Sequence, residues 1–320
     1  MTAPLRLAVV GAGIMGTNHA RVARQLPGIE LVGVVDQDLA KAQAACGGGA
    51  ARATRDLSDL IGEIEAAVVA VPTQFHVEVA VRLAEAGVHL LVEKPLAPSV
   101  AEAEQIIAAA ESAGVVLAVG HIERFNAAVA ELGRLIDEPV HIEASRIGSY
   151  SPRISDGVIF DLMIHDLDIV LSLVGDDVTV DEISGVARRV HSATEDLAAV
   201  TMAFSNGMTA VFNTSRLGQQ KVRTIEIAQM ESAIVADLIR RDVTIHRMTQ
   251  QEYLSSEGTR YRQSSVMEIP FLQTSGEPLQ LELAHFAECV QTGAQPVVDG
   301  RAGLRALDLA VRVTDAVSHR

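Results

Sequence analysis

The stretch Leu5-Arg6-Leu7-Ala8-Val9-Val10-Gly11-Ala12-Gly13-Ile14-Met15-Gly16 decides how this chain is read. A short apolar strand runs into three glycines spaced G-x-G-x-x-G. A helical pattern follows over Asn18–Gln25, stopped by Pro27-Gly28. Strand, glycines and helix in that order give the spacing a physical meaning. Gly11 permits a tight turn, Gly13 lets a pyrophosphate approach the backbone, and Gly16 lets helix and strand pack closely. The helix start offers unpaired N–H groups and the positive end of its dipole to phosphate. The spacing therefore predicts a dinucleotide cradle over Gly11, Ala12, Gly13, Ile14, Met15 and Gly16. A plain glycine turn is the bland alternative.

Moving outward, Glu30–Val35 reads as a second strand, and Asp36 follows it, 20 residues past Gly16. A carboxylate there accepts hydrogen bonds from both ribose hydroxyls of NAD and repels a 2′-phosphate, so NAD is expected over NADP. The alternative is a solvated turn residue within Asp36-Gln37-Asp38.

The alternation continues. Leu39–Ala45 is helical, Ala66–Val71 a strand ended by Pro72, Val77–Ala86 a helix closed by Gly87, and His89–Val92 a strand. Ser99–Ser112 is a helix closed by Gly114, and Val115–Val119 a strand. Continuous apolar strands between helices imply a parallel sheet covered on both faces. After about residue 120 the pattern changes. Phe125–Ile136 is helical, Val140–Ser145 a strand, and Val158–Val174 an amphipathic helix. Strands then follow without helices from Val178 to about Met248, two of them joined by the hairpin signal Asn206-Gly207. Leu279–Thr292 and Ala302–Val317 are closing helices, and the polar segment Gln250–Ser265 reads as a mobile loop. The expected fold class is α/β: an N-terminal Rossmann domain with a parallel sheet over 1–120, then a C-terminal α+β domain with an open, mainly antiparallel sheet over 121–320.

Three further clusters carry chemistry. Glu93-Lys94-Pro95 follows the strand His89–Val92, and ligands of a parallel sheet sit beyond the carboxyl ends of its strands. Lys94 is placed to reach the cofactor and help proton transfer, and Pro95 fixes the turn; a solvated Lys-Pro loop is the alternative. Asp161 and His165 are i and i+4 on one helix face, with Asp168 three residues on. His165 has the right ordinary pKa for a general base, and Asp161 orients it or a sugar hydroxyl. A metal site from Asp161, His165 and Asp168 and a purely structural helix compete with that reading. The segment Pro72-Thr73-Gln74-Phe75-His76 follows another strand end, where His76 contacts cofactor or Thr73 caps a helix. Arg124, after the last parallel strand, meets substrate or makes an interdomain ion pair.

The chain has 320 residues, 48% hydrophobic and 21% charged, enough for two cored domains. A net charge of −15 spread along the chain gives no basic surface for nucleic acid. Cys46 and Cys289 are too few and too far apart for a metal motif and read as reduced structural thiols. No apolar run approaches the ~20 residues of a membrane span, so no membrane partner is expected, and the protein is placed in the cytoplasm.

These motifs in this order resemble the glucose–fructose oxidoreductase, inositol dehydrogenase and rhizopine-catabolism family, written Gfo/Idh/MocA. The resemblance covers essentially the whole chain. It rests on Gly11–Gly16, Glu93-Lys94-Pro95 and the helix Asp161–His165 with Asp168. It implies that Lys94, Asp161 and His165 are catalytic and that Pro72, Thr73, His76, Glu93 and Lys94 line the cofactor. It also implies that Lys94, Arg124, Asp161 and His165 meet a sugar or cyclitol substrate. A C-terminal sheet that joins protomers into a homodimer or homotetramer is implied as well. Gly120–Asn126 and Phe160–Asp168 are similar to the nucleotide-sugar, UDP-N-acetylglucosamine 3-dehydrogenase-like branch, with Ala127 where that branch has proline. A cofactor-binding sensor without chemistry and a reductase of a non-sugar substrate are the competing functions.

Overall fold

The computed structural model describes residues 3–151, 156–255, 258–273 and 275–319. The chain forms two compact units. The first comprises 1–125 and 276–308, the second 126–275 and 309–320.

In the first unit the strands are β1 (Leu5–Val10), β2 (Ile29–Val35), β3 (Arg52–Thr54), β4 (Ala66–Val69), β5 (His89–Glu93) and β6 (Leu117–Gly120). They pair in parallel in the order β3-β2-β1-β4-β5-β6, the doubly wound arrangement. Leu7, Val9, Val68 and Leu91 are buried, as strands covered on both faces require. The helices between them are α1 (Ile14–Ala23), α2 (Leu39–Cys46), α3 (His76–Glu85) and α4 (Val100–Ala113). Asp38 caps α2 through the N–H groups of Ala40 and Lys41, and Ser99 caps α4 through that of Glu102. The three-residue edge strand β3 carries too short a pattern to stand out in sequence.

In the second unit come α5 (Ala127–Leu135), β7 (His141–Ile147), α6 (Ile164–Val174), β8 (Val180–Arg188), β9 (Leu197–Phe204), β10 (Thr209–Ser215), β11 (Val222–Ala228), β12 (Ser232–Asp237), β13 (Asp242–Ser255) and β14 (Gly258–Glu268). The chain then returns to the first unit with α7 (Pro278–Thr292). Last come α8 (Gly300–Ala316) and β15 (Ser318–His319). The nine-stranded sheet runs β14-β13-β12-β11-β7-β10-β9-β8-β15. Every pairing is antiparallel except β7 with β10 and β8 with β15. Helices α5 and α6 pack on it, α5 against β12 and β13 and α6 against β7. The β9–β10 turn at Asn206-Gly207 forms as expected, Gly207 taking φ +83°.

The boundary at residue 120 falls close to the first division between the units, at residue 125, and 276–308 clusters with the first unit. Leu279, Leu283, Phe286 and Ala287 of α7 lie in one core with Val9, Ala20, Ala23 and Leu91. Local spacing announces an apolar helix face without naming the surface it will cover. The segment Gln250–Ser265, read as a loop, belongs to the β13–β14 hairpin, in register from Ile245↔Glu268 to Ser255↔Gly258. A ladder is held by main-chain groups, so polar side chains are no obstacle to it. Residues 256 and 257 lie outside the described residues. Both cysteines are free and buried, and burial raises both thiol pKa values. Among the described residues no helix is long and apolar enough to cross a membrane.

Candidate active site

The glycine turn leaves β1 where the strand order reverses, between β1 and β4. Gly11 takes φ +100°, and a Cβ on it would lie 2.5 Å from the carbonyl oxygen of Ala70 at the end of β4. Only glycine meets both demands. A Cβ on Gly16 would lie 1.7 Å from the carbonyl oxygen of Gly11, so α1 is seated directly on the turn. Gly13 is different: its φ is −70° and a Cβ there would meet nothing within 4 Å. That open space lies at the start of α1, whose first turn carries no acidic side chain and whose N-cap makes no side-chain bond. The three glycines thus divide as a dinucleotide cradle requires, two for geometry and one for clearance. Ile14 is 76% exposed beside it.

Asp36, at the end of β2, accepts the N–H of Ala12 at 2.6 Å and that of Asp38 at 2.8 Å. Its carboxylate is thereby fixed at the rim of the glycine turn, 24 residues away in sequence. The residues present fit NAD: an open approach at Gly13, a free helix start, and an anchored, half-buried carboxylate.

Lys94 is half-buried and stands directly after β5, and the Lys94-Pro95 peptide is cis. Two buried side chains brace this turn. Glu93, 7% exposed, has Oε1 2.7 Å from Nε2 of the wholly buried His19 of α1. His76, 1% exposed, reaches the carbonyl oxygens of Pro95 and Leu96 with Nδ1 and that of Val71 with Nε2. Burial lowers the His76 pKa, against the pull of those carbonyls and of Glu93. The buried ring thus stands between two strand ends, with backbone carbonyls within hydrogen-bond distance on both sides. Thr73 does not cap α3: it opens a 3-10 turn, Thr73–Phe75, and neither that turn nor α3 has a side-chain cap. Arg124 lies half-buried in the 3-10 turn Ile122–Phe125 that follows β6.

Behind β5 sits Glu282 of α7, fully buried. Burial first, and the charge of Glu93 second, push its carboxyl well above the usual carboxylate range. It borders a cavity of about 10 Å³ with Leu91, Phe125, His285 and Phe286, about the space of one water molecule.

In the second unit, Asp161 and His165 lie where expected in sequence but on a different helix. Ile159–Met163 is one π-helical turn, and α6 begins only at Ile164. Such turns are rare and recur at functional sites. Glu195 holds its start: its carbonyl oxygen accepts the N–H of Val158 at 3.0 Å and its carboxylate that of Ile159 at 3.2 Å. A Cβ on Gly157 would fall 1.9 Å from that carboxylate, so any larger residue there has to displace Glu195 from the start of the turn. His165 is half-buried, and Asp161 is 25% exposed in its side chain. Asp168 is buried at 2% exposure. Among the described residues no three His, Cys, Asp or Glu side chains lie close enough together to hold a metal ion, which removes the support for the Asp161, His165 and Asp168 metal reading.

Sequence reading missed two arginines. Arg146 of β7 grips Asp166 through Nε at 2.9 Å and Nη2 at 2.7 Å, both side chains buried. Arg216, directly after β10, is 2% exposed and has Nη2 3.6 Å from Oδ2 of Asp161. Charged residues at strand ends ordinarily read as surface, and no local spacing flags them.

A doubly wound parallel sheet with this cradle at its switch point defines a dinucleotide-binding oxidoreductase fold. Two family models match: the oxidoreductase family NAD-binding Rossmann fold over residues 5–121, and its C-terminal alpha/beta domain over 148–320. The chain belongs to the Gfo/Idh/MocA oxidoreductase family, as its motifs predict. It is 30% identical to UDP-N-acetylglucosamine 3-dehydrogenase of Acidithiobacillus ferrooxidans over 98% of this chain and 97% of that one. A solved structure of that enzyme superposes with a TM-score of 0.87 at 28% identity, covering 99% of this chain and 98% of the other. The chain is also 29% identical to scyllo-inositol 2-dehydrogenase (NAD(+)) of Bacillus subtilis over 98% of this chain and 94% of that one.

Proposed function

We propose that this protein is an NAD-dependent dehydrogenase that oxidises a secondary hydroxyl of a sugar, cyclitol or nucleotide sugar, or reduces the matching ketone. Gly11–Gly16 and Asp36 hold the cofactor, with Pro72, Thr73 and Lys94 beside it. The observation that carries the reading is the braced Lys94-Pro95 turn at the carboxyl end of β5, in a chain that also carries Asp161 and His165 on a π-to-α junction. NAD, when bound, supplies the hydride acceptor. His165 takes the hydroxyl proton on a ring nitrogen. The Lys94 ammonium hydrogen-bonds the same oxygen and stabilises the charge that develops there. Asp161 orients the sugar or His165, and Arg124 contributes to substrate binding. The nucleotide-sugar relatives favour a substrate of that class.

The protein acts in the cytoplasm as a homodimer or homotetramer joined through the C-terminal sheet. Met248, Val266, Met267, Ile269 and Phe271, all large and exposed in the second unit, support such a contact.

The test is turnover at 340 nm over a panel of sugars, cyclitols and UDP-sugars with NAD and NADP, beside a thermal-shift screen of the same compounds. A stabilising ligand raises Tm by mass action. UDP-N-acetylglucosamine and scyllo-inositol lead the panel. Absence of both turnover and shift across it counts against the dehydrogenase reading.

A further inference from the structure

Arg216 and Arg146 are the two largest fully buried side chains among the described residues. The two are compensated differently. Arg146 faces Asp166 with two nitrogens at hydrogen-bond distance. Arg216 donates from Nη2 to the carbonyl oxygen of Asp156 at 2.6 Å, and the same nitrogen stands 3.6 Å from Asp161 Oδ2. Its Nε and Nη1 meet no acceptor among the described residues. Its backbone is locked as well: its N–H donates to the carbonyl oxygen of Asp196 at 2.9 Å. The Asp196 carboxylate in turn receives the N–H groups of Val190, His191 and Ser192 and the Ser192 hydroxyl. Burial works to raise the Asp196 pKa, but these four donors outweigh it and hold the group far below the usual carboxylate range.

We infer that Arg216 is a positioning residue for Asp161, holding both the acid and the segment that leads into its π-turn. The inference rests on the reading above, in which Asp161 serves the reaction. A buried guanidinium needs a counter-charge, because taking it out of water without one is strongly unfavourable. Asp161 is the carboxylate within 4 Å of it among the described residues. The side chain of Asp161 is a quarter exposed while its partner is buried. The acid therefore faces a buried cation on one side and is accessible from the other. Asp156 and Asp161 flank the start of the π-turn, so one guanidinium tied to both fixes how that turn departs from the end of β10. Arg216 needs no contact with substrate or cofactor for this, and its loss is expected to act on turnover rather than on NAD binding.

Four variants test it: Arg216→Met, Arg216→Lys, Asp161→Asn and the double variant Arg216→Met/Asp161→Asn. Each is assayed with NAD and UDP-N-acetylglucosamine, or with scyllo-inositol if the first is not turned over. Arg216→Met is expected to lower kcat by up to about a hundredfold, the scale of a displaced catalytic group, with the KM for NAD nearly unchanged. Arg216→Lys is expected to recover part of that loss. The double variant is expected to be no slower than Asp161→Asn alone, since residues acting as one unit are not additive. Losses that multiply, or wild-type kcat in a folded Arg216→Met protein, overturn the inference while leaving the dehydrogenase reading intact. Wild-type kcat in Asp161→Asn instead removes the role of Asp161 and the inference with it. Tm decides independently of folding in the methionine variant and of any substrate. Asp161→Asn strands a buried charge and must lower Tm, whereas removing an active-site carboxylate commonly raises it. A Tm at or above wild type overturns the inference.

Discussion

Nδ1 of His76 lies 3.1 Å from the carbonyl oxygen of Pro95, the residue next to Lys94. Nε2 of the same ring lies 2.9 Å from the carbonyl oxygen of Val71, at the exit of the neighbouring strand. One imidazole thus spans two strand ends at the mouth of the parallel sheet. His76→Ala leaves without a partner the buried carbonyl to which the single ring N–H of the neutral imidazole donates, at about 1–3 kcal/mol. We expect Tm to fall by a few degrees, since 1 kcal/mol corresponds to about 2–4 °C in a folding unit of about 150–250 residues. Turnover should fall in the surviving folded enzyme, because Lys94 loses its brace. An unchanged Tm refutes the bracing role.

The Asp36 carboxylate is anchored by two backbone N–H groups, at 2.6 and 2.8 Å. Hydrogen bonds to a charged group are worth about 1.5–3 kcal/mol. Asp36→Ala should therefore weaken NAD binding by roughly tenfold to a hundredfold and relax discrimination against NADP. Titration calorimetry with both dinucleotides reads this directly. A variant that keeps wild-type preference removes Asp36 from cofactor selection.

His165→Ala is expected to lower kcat by about 10²–10⁴, the usual worth of a positioned acid–base group. NAD affinity should stay near wild type. Stopped-flow measurement at 340 nm separates the two. Near-native turnover would rule out His165 as the base.

Glu282 gives a pH signature. Its folded pKa is raised above the usual 4.5, by burial and by Glu93. The neutral carboxyl therefore contributes stability below pH 4.5, and that contribution is lost as the pH rises through the raised folded value. Glu282→Gln keeps the shape and removes the titration. Its Tm should exceed wild type most at alkaline pH, with the gap closing towards pH 4.5. A gap that widens on acidification contradicts the assignment.

Phe286 of α7 is 1% exposed in the core that holds Val9 and Leu91. Phe286→Ala should cost about 3–5 kcal/mol. If α7 belongs to the first unit, NAD added in excess should restore part of the lost Tm, because ligand binding and folding of that unit are linked. Unfolding confined to the second unit, followed by hydrogen exchange, would sink that placement.

The legible parts of this protein are those in which chemistry demands particular residues close together in sequence. Gly11, Gly13 and Gly16 could be assigned separate tasks from spacing alone, and the packing distances agree with each. Asp36 and Lys94 were placed because parallel strands present their carboxyl ends at one edge. The illegible parts depend on partners distant along the chain. Glu195 seats the π-turn from 36 residues away, and Arg216 reaches back past the whole of α6. The turn itself was invisible because a single π turn leaves the apolar rhythm of Val158–Val174 almost unchanged. The sequence shows His76 near a strand end and not which carbonyls surround it.

The first unit draws on two separate parts of the chain, with residues 126–275 between them. During synthesis its glycine turn and six strands emerge early, yet the groove on α1 that α7 fills stays open. At about 5–20 residues per second, translation of the intervening stretch takes roughly 8–30 s. For that interval Ala20, Ala23 and their neighbours face water on the ribosome. A chain that stops before α7 lacks the helix whose Leu279, Leu283 and Phe286 complete this core.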